Sequence, residues 1–265
     1  MRYPIVKITF LGTGSGTEPQ PGYHHSSFVI EKEGAVYWFD AGETCSYTAH
    51  LSGVDILATR AIFISHPHMD HIGGLPNLLW TCRKLNLFVA PHLSGKRIDV
   101  HLPDLSVWQG IMQMLRGTQG NFELDFEFRP HLVADGLVYE QDGLRVVAQH
   151  NEHMGVPAPG EAWRSFSYRV EGNGRSLVHS GDVKHIGELA GLVGEGCDLL
   201  LMETGHHDVS EVCTYVREAG WGYGRLLFIH HGLAVLADYE GERQKAKAIL
   251  ADKVDLAYDR LVINV

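Results

Sequence analysis

Residues 64–74 read ISHPHMDHIGG: the apolar run AIFI (61–64) stops, and His66, His68, Asp70 and His71 follow at once. Imidazoles and carboxylates taken out of water need partners. A strand that delivers four of them to one end therefore constrains the chain to a fold in which other strands end at the same place and supply those partners. Two histidines at i and i+2 in an extended loop can both turn toward one ion. A helical turn starting there would send Asp70 and His71 to an adjacent one, so the spacing points to two metals. The donors suit zinc first, with manganese or iron as alternatives, and Gly73 and Gly74 let the following backbone pass close by.

Other strand-like runs are IVKITF (5–10), SFVI (27–30), AVYWF (35–39), LFVA (87–90), LRVVA (144–148), FSYRV (166–170), SLVH (176–179), DLLLM (198–202) and LLFI (226–229). Helical spacing appears at Leu105, Trp108, Ile111, Met112 and Leu115, at Ile186, Leu189, Ala190 and Val193, and at Val209, Val212, Val216 and Ala219. A polar helix is expected over 239–252. Strands dominate the first third and alternate with helices in the last, which predicts a layered α/β sandwich forming a single domain over residues 1–265. Residues 94–130, with Pro103, Gly110, Gly117 and Gly120 around one helical stretch, are expected as a flap insertion.

Seventeen histidines stand out in a chain whose formal net charge is -10, a balance that argues against a broad phosphate-binding surface. Cys45, Cys82, Cys197 and Cys213 are widely spaced, so neither a disulfide framework nor a cysteine zinc site is expected. The opening MRYPIVKITFLGTG reads as a strand rather than a secretion signal, and no run approaches the ~18 apolar residues that span a bilayer. A soluble, cytoplasmic protein with reduced thiols is the expectation.

His66, His68, Asp70 and His71 resemble the HxHxDH signature of the metallo-β-lactamase fold superfamily. ITFLGTGSG is similar to that superfamily's first strand and turn, YWFDAGE to its DxGE-like segment, and HSGDV to the strand that ends in a bridging aspartate. FLGTGSGTEP, FDAGE and SFSYRVE most resemble the ribonuclease Z and phosphodiesterase branch. The resemblance implies a four-layer αββα sandwich with two metals at one edge. It implies His66, His68 and His153 on one ion, with His150 the competing choice for the third. It places Asp70, His71 and His230 on the other, with His231 competing, and Asp182 between them. It further implies Asp40 and Glu203 as partners of the ligand imidazoles, a histidine from METGHHDVSEV as proton donor (His207 nearer the matching place, His206 close behind), His24 and His25 on the substrate approach, and a homodimer.

Two ions lower the pKa of a shared water and steady developing charge, so the expected nucleophile is hydroxide, with Asp70 orienting it as well as binding metal. GTGSG lacks the GK[ST] of a P-loop and is read as backbone geometry at the metal edge. The expected activity is hydrolysis of a phosphodiester, small or cyclic, within a small-molecule or nucleotide-like ester. Transfer RNA is not the expected substrate, since 94–150 shows no basic glycine- and proline-rich arm and contains the acidic FELDFEFRP. A carboxylic-ester, lactone or thioester hydrolase is the alternative, favoured if Trp108, Met112 and Met114 line the pocket. A non-hydrolytic di-iron protein or metal sensor is the remote one.

Overall fold

The computed structural model describes residues 6–16 and 18–265. Its first sheet is built from β1 (Lys7–Gly12), β2 (Ser27–Lys32), β3 (Ala35–Phe39), β4 (Thr59–Phe63), β5 (Arg97–Leu102) and β6 (Glu127–Leu132). The second holds β7 (Gly136–Gln141), β8 (Leu144–His150), β9 (Phe166–Gly172), β10 (Arg175–His179), β11 (Cys197–Thr204), β12 (Tyr223–His231) and β13 (Val254–Leu256). A last strand, β14 (Val262–Asn264), returns to pair with β1, giving orders β14-β1-β2-β3-β4-β5-β6 and β13-β12-β11-β10-β9-β8-β7.

Strands covered on both faces, such as AVYWF (35–39) and LLLM (199–202), are apolar without interruption, while the edge strands β6 and β7 carry exposed charged residues. In β3, Val36 and Trp38 point outward while Tyr37 and Phe39 point between the sheets; in β11, Leu200 and Met202 face out while Leu199 and Leu201 face in. The period of two is thus present in side-chain direction and absent from hydrophobicity. Helices α1 (Cys45–Leu51), α2 (Met69–Ile72), α3 (Leu75–Phe88) and α4 (Leu105–Arg116) belong to the first half, where α1, α3 and α4 cover the outer face of the first sheet. Helices α5 (Ala190–Val193), α6 (Val209–Glu218), α7 (Leu233–Ala237) and α8 (Tyr239–Leu250) cover the second. The result is the expected αββα sandwich with three apolar layers. Among the described residues no helix is long and apolar enough to cross a membrane.

Two expectations are corrected. LFVA (87–90) is no strand: Leu75, Leu78, Leu79, Cys82 and Asn86 bury one face of α3, and the helix runs on through Leu87 and Phe88, which stand exposed at its end with Val89. A short apolar run fits either period, and the helical anchors upstream decide it here. Nor is 94–130 a flap. It is a β-α-β unit whose strands extend the first sheet in parallel, β4 to β5 to β6, with Trp108 and Leu115 of α4 buried against it. Residue 5 of the expected first strand lies outside the described residues.

Cross-strand register stacks one ring from each of five neighbouring strands, Phe28, Phe39, Phe63, His101 and His131, with centroids 5.0, 4.9, 4.8 and 4.7 Å apart in turn. Burial, with the neighbouring His131, depresses His101 to about 4, and its Nε2 has no hydrogen-bond partner. The unfolded chain binds a proton near 6.5 and the folded one only near 4, so this histidine withdraws stability as pH falls through that window. The full effect is on the order of 3 kcal/mol by pH 4. Thermal unfolding followed from pH 7 to pH 5 should show a smaller loss of midpoint in His101→Phe than in the wild type.

Candidate metal centre

β3, β4, β8, β10, β11 and β12 all run toward the same edge of the sandwich, and each releases a polar side chain there: Asp40, His66, His153 a few residues on, Asp182, Glu203 and His230. Such an edge, at the carboxyl ends of parallel strands, is where open α/β sheets place their ligands. His68 leads into the single turn α2, which carries Asp70 and His71. Gly42 and Gly74 make this turn fit, since a Cβ on Gly74 would strike the Gly42 carbonyl and one on Gly42 the backbone of Asp70 and His25. The GTGSG turn is sewn to the same edge: Gly16 N–H donates to Asp70 Oδ2 (2.9 Å), and Ser15 N–H and Oγ–H both donate to the His231 carbonyl.

β12 carries an extra residue at the site. Glu203 pairs with Ile229 and Thr204 with His231, leaving His230 out of register at φ 49°. This bulge turns the two neighbouring histidines to different tasks. His230 enters the cluster. His231 donates through Nε2 to Ala257 O (2.8 Å) and meets Thr204 Oγ1 with Nδ1 (3.2 Å), so both its nitrogens serve the fold; burial holds it at about 4.

Three groups of side chains converge: His66, His68, His153 and Asp182; Asp70, His71 and His230; and Asp182, His206 and His230. Within them ring nitrogens face one another at hydrogen-bonding distance: His66 Nε2 to His68 Nδ1 is 3.0 Å, His153 Nε2 to His68 Nδ1 is 3.2 Å, and His71 Nε2 to His230 Nε2 is 3.1 Å. Asp182 Oδ1 and His230 Nδ1 are buried without any hydrogen-bond partner, although such atoms are rarely left so. Lone pairs aimed at a common point and orphaned buried donors and acceptors are what a divalent cation site requires, and nitrogen and carboxylate oxygen are fitting ligands for it.

The electrostatics agree. Burial alone would raise the carboxyls of Asp40, Asp70, Asp182 and Glu203, but the histidines around them hold all four below the usual range. In return, and against their own burial, Asp182 and Asp40 push His71 up, while Asp182 and Asp70 push His230 up to about 9. Two imidazoliums with nitrogens 3.1 Å apart repel. Metal cations bound there would displace those protons and be held by the same carboxylates.

The remaining expected residues are sorted by position. His150 donates from its backbone and pairs its ring with Asp135 (2.6 Å), stacked on Trp163 at 3.9 Å, and is not brought to the cluster. His206, exposed, lines a pocket of about 280 Å³ with Ser15, Gly16, His68, Asp70, Asp182, Gly205 and His230, and its Nδ1 lies 3.1 Å from Glu203 Oε1. His207, ranked ahead of it from sequence, donates instead to Val183 O (3.0 Å) and stands outside the pocket lining; adjacent residues entering a helix point in different directions. His24 is tied to Asp259 (2.7 Å), and His25 lies 3.8 Å from Glu43. Trp108 and Met112 belong to the core under α4, and Met114 is exposed on that helix, so none of the three lines the pocket. Sequence reasoning missed Ser65 and His179, both buried against Asp40; a hydroxyl directly before the first ligand, and a histidine three before Asp182, were the available signals.

Fold and donor set together define a metal-dependent hydrolase of the metallo-β-lactamase fold. Within that class the chain belongs to the family described as Anti-Pycsar protein Apyc1, which matches residues 6–218. Ribonuclease Z of Methanothermobacter thermautotrophicus is 30% identical over 155 residues, spanning 56% of this chain and 45% of that protein. Ribonuclease Z of Shouchella clausii is 26% identical over 317 aligned positions, 98% of this chain and 97% of that protein. Among solved structures, the short form of human tRNase Z superposes with a TM-score of 0.73 at 23% identity, covering 97% and 98% of the two chains. The metallo-β-lactamase fold protein YhfI from Bacillus subtilis gives 0.74 at 18%, covering 98% and 100%.

Chelation should leave the buried carboxylates unneutralised and lower the unfolding temperature. Restoring zinc to about a hundred times its dissociation constant should recover about 2.7 kcal/mol. Asp182→Ala should lose most of that recovery in the same calorimetric titration.

Proposed function

We propose that this chain is a two-metal phosphodiesterase acting on a small or cyclic phosphodiester of nucleotide-like chemistry. The observation that carries the reading is the pair of donor groups joined through Asp182 at the floor of an open pocket of about 280 Å³, room for a phosphodiester. His66, His68 and His153 would hold one ion, Asp70, His71 and His230 the other, with Asp182 shared; zinc is the first expectation for this nitrogen and oxygen set. When bound, the ions supply an activated water and a clamp on the charge developing at phosphorus. Asp70, fixed by the Gly16 N–H, is placed to orient that water.

His206 would donate the proton that the leaving oxygen needs. Its hydrogen bond to Glu203 raises its pKa against burial, and Glu203 also accepts the His206 backbone N–H (2.8 Å), which fixes the ring over the pocket. An acid must be protonated to act, so the rate with a poor leaving group should fall as pH rises through the His206 pKa. With such a substrate His206→Ala should lower kcat by about 10²- to 10⁴-fold at unchanged metal content, and His207→Ala should change it little. A p-nitrophenyl ester, whose leaving group needs no proton, should be far less affected by His206→Ala.

The names of the ribonuclease Z relatives favour RNA as a second reading, against which stand the net charge of -10 and the acidic stretch at 122–130. A carboxylic-ester or thioester substrate loses its motive, because Trp108 and Met112 pack in the core. The deciding experiment is metal analysis of the purified protein with turnover of bis(p-nitrophenyl) phosphate, a cyclic phosphodiester, a transfer-RNA precursor and a thioester. Two ions per chain with turnover of the small phosphodiesters alone supports the proposal. Cleavage confined to the RNA or to the thioester overturns it. A homodimer, implied by the resemblance, is read from the same preparation by sedimentation.

A further inference from the structure

We infer that Ser65 is a positioning residue that fixes the proton on His66 and, through Asp40, ties the first metal subsite to the second. The inference rests on the two-metal reading above. Ser65 is fully buried at the exit of β4, and its hydroxyl reaches three groups: Asp40 Oδ2 at 2.9 Å, His66 Nδ1 at 3.0 Å and His71 Nδ1 at 3.3 Å. Asp40 Oδ2 also lies 2.8 Å from His71 Nδ1, while Oδ1 accepts the Ser65 backbone N–H at 2.7 Å.

Counting protons settles the direction of each bond. An ionised Asp40 only accepts, so the single Ser65 hydroxyl proton goes to Asp40 Oδ2. The Ser65 oxygen is then left with lone pairs alone and must accept from His66, which places the His66 proton on Nδ1. His71 likewise gives its Nδ1 proton to Asp40. In the neutral form that a ligand must take, both rings then offer a bare Nε2, and both Nε2 atoms face Asp182: His66 at 3.7 Å from Oδ2, His71 at 3.4 Å from Oδ1. One buried carboxylate therefore presets a ligand in each donor group, directly for His71 and through one hydroxyl for His66. Such outer partners typically contribute 10- to 100-fold in metal affinity.

The test is zinc binding to full-length wild type, Ser65→Ala and Ser65→Thr, measured by competition with a chromophoric chelator. It is paired with long-range proton–nitrogen NMR correlations on the metal-free proteins, which report the protonated nitrogen of His66. The wild type should bind two zinc ions and, before zinc is added, carry the His66 proton on Nδ1. Ser65→Ala should bind one of the two about tenfold more weakly and lose the fixed Nδ1 proton while its fold, followed by circular dichroism, persists; Ser65→Thr, which keeps the hydroxyl, should restore both. Equal affinities at both sites in wild type and Ser65→Ala, or a wild-type His66 protonated on Nε2, would overturn the role of Ser65 and leave the metal reading standing. Fewer than two zinc ions on the wild type overturns the metal reading and this inference with it. Should Ser65→Ala fail to fold, the wild-type NMR result decides.

Discussion

Four carboxylates, Asp40, Asp70, Asp182 and Glu203, are taken almost wholly out of water along a single edge of the sandwich. Burying one ionised carboxylate is costly, and burying four beside each other is tolerated only where positive charge is supplied from within. This constraint organises the rest. It explains why six strands end in the same place and why imidazoles crowd the acids. It also explains why the backbone there is driven into unusual forms, with Asp40 at φ 58° and His230 at φ 49°. The three apolar layers supply the rigidity against which those conformations can be held.

In the proposed reading, the ligands and the proton donor stand at different depths of that edge. His66 and His71 have their Nδ1 atoms held by Ser65 and Asp40, whereas His206 stands exposed at the rim, hydrogen-bonded to Glu203. A group that must exchange protons with water belongs there. A ligand that must not exchange them belongs behind it.

The buried strands and the HxHxDH cluster were legible in sequence because both are local, and the four-layer fold followed from the resemblance those motifs carry. A strand buried on two faces writes an unbroken apolar run, and closely spaced donors after it need no knowledge of the remainder of the chain. What failed was decided at a distance. LFVA (87–90) reads as a strand until α3 is known to start at Leu75, and 94–130 looks like an insertion until β5 and β6 are seen to pair with β4. His206 and His207 cannot be ranked from adjacency, since which of them faces the pocket depends on His207 finding the Val183 carbonyl in the loop after β10. Ser65 went unread for a similar reason: its place directly before His66 gives it no role until Asp40, 25 residues away in the chain, is set beside it.

The extra residue in β12 works as a phase shifter. Upstream of it, Leu227 and Ile229 keep the strict in-and-out alternation that the two-sided core demands; past it, the alternation restarts one residue late. Packing and chemistry on this strand are therefore set by different clocks, and side chains of the core can be exchanged over evolutionary time without rotating His230 away from its partners. The converse also holds. Deleting Ile229 would draw His230 into the ladder opposite Glu203, and would take a donor from the centre while removing only an apolar residue.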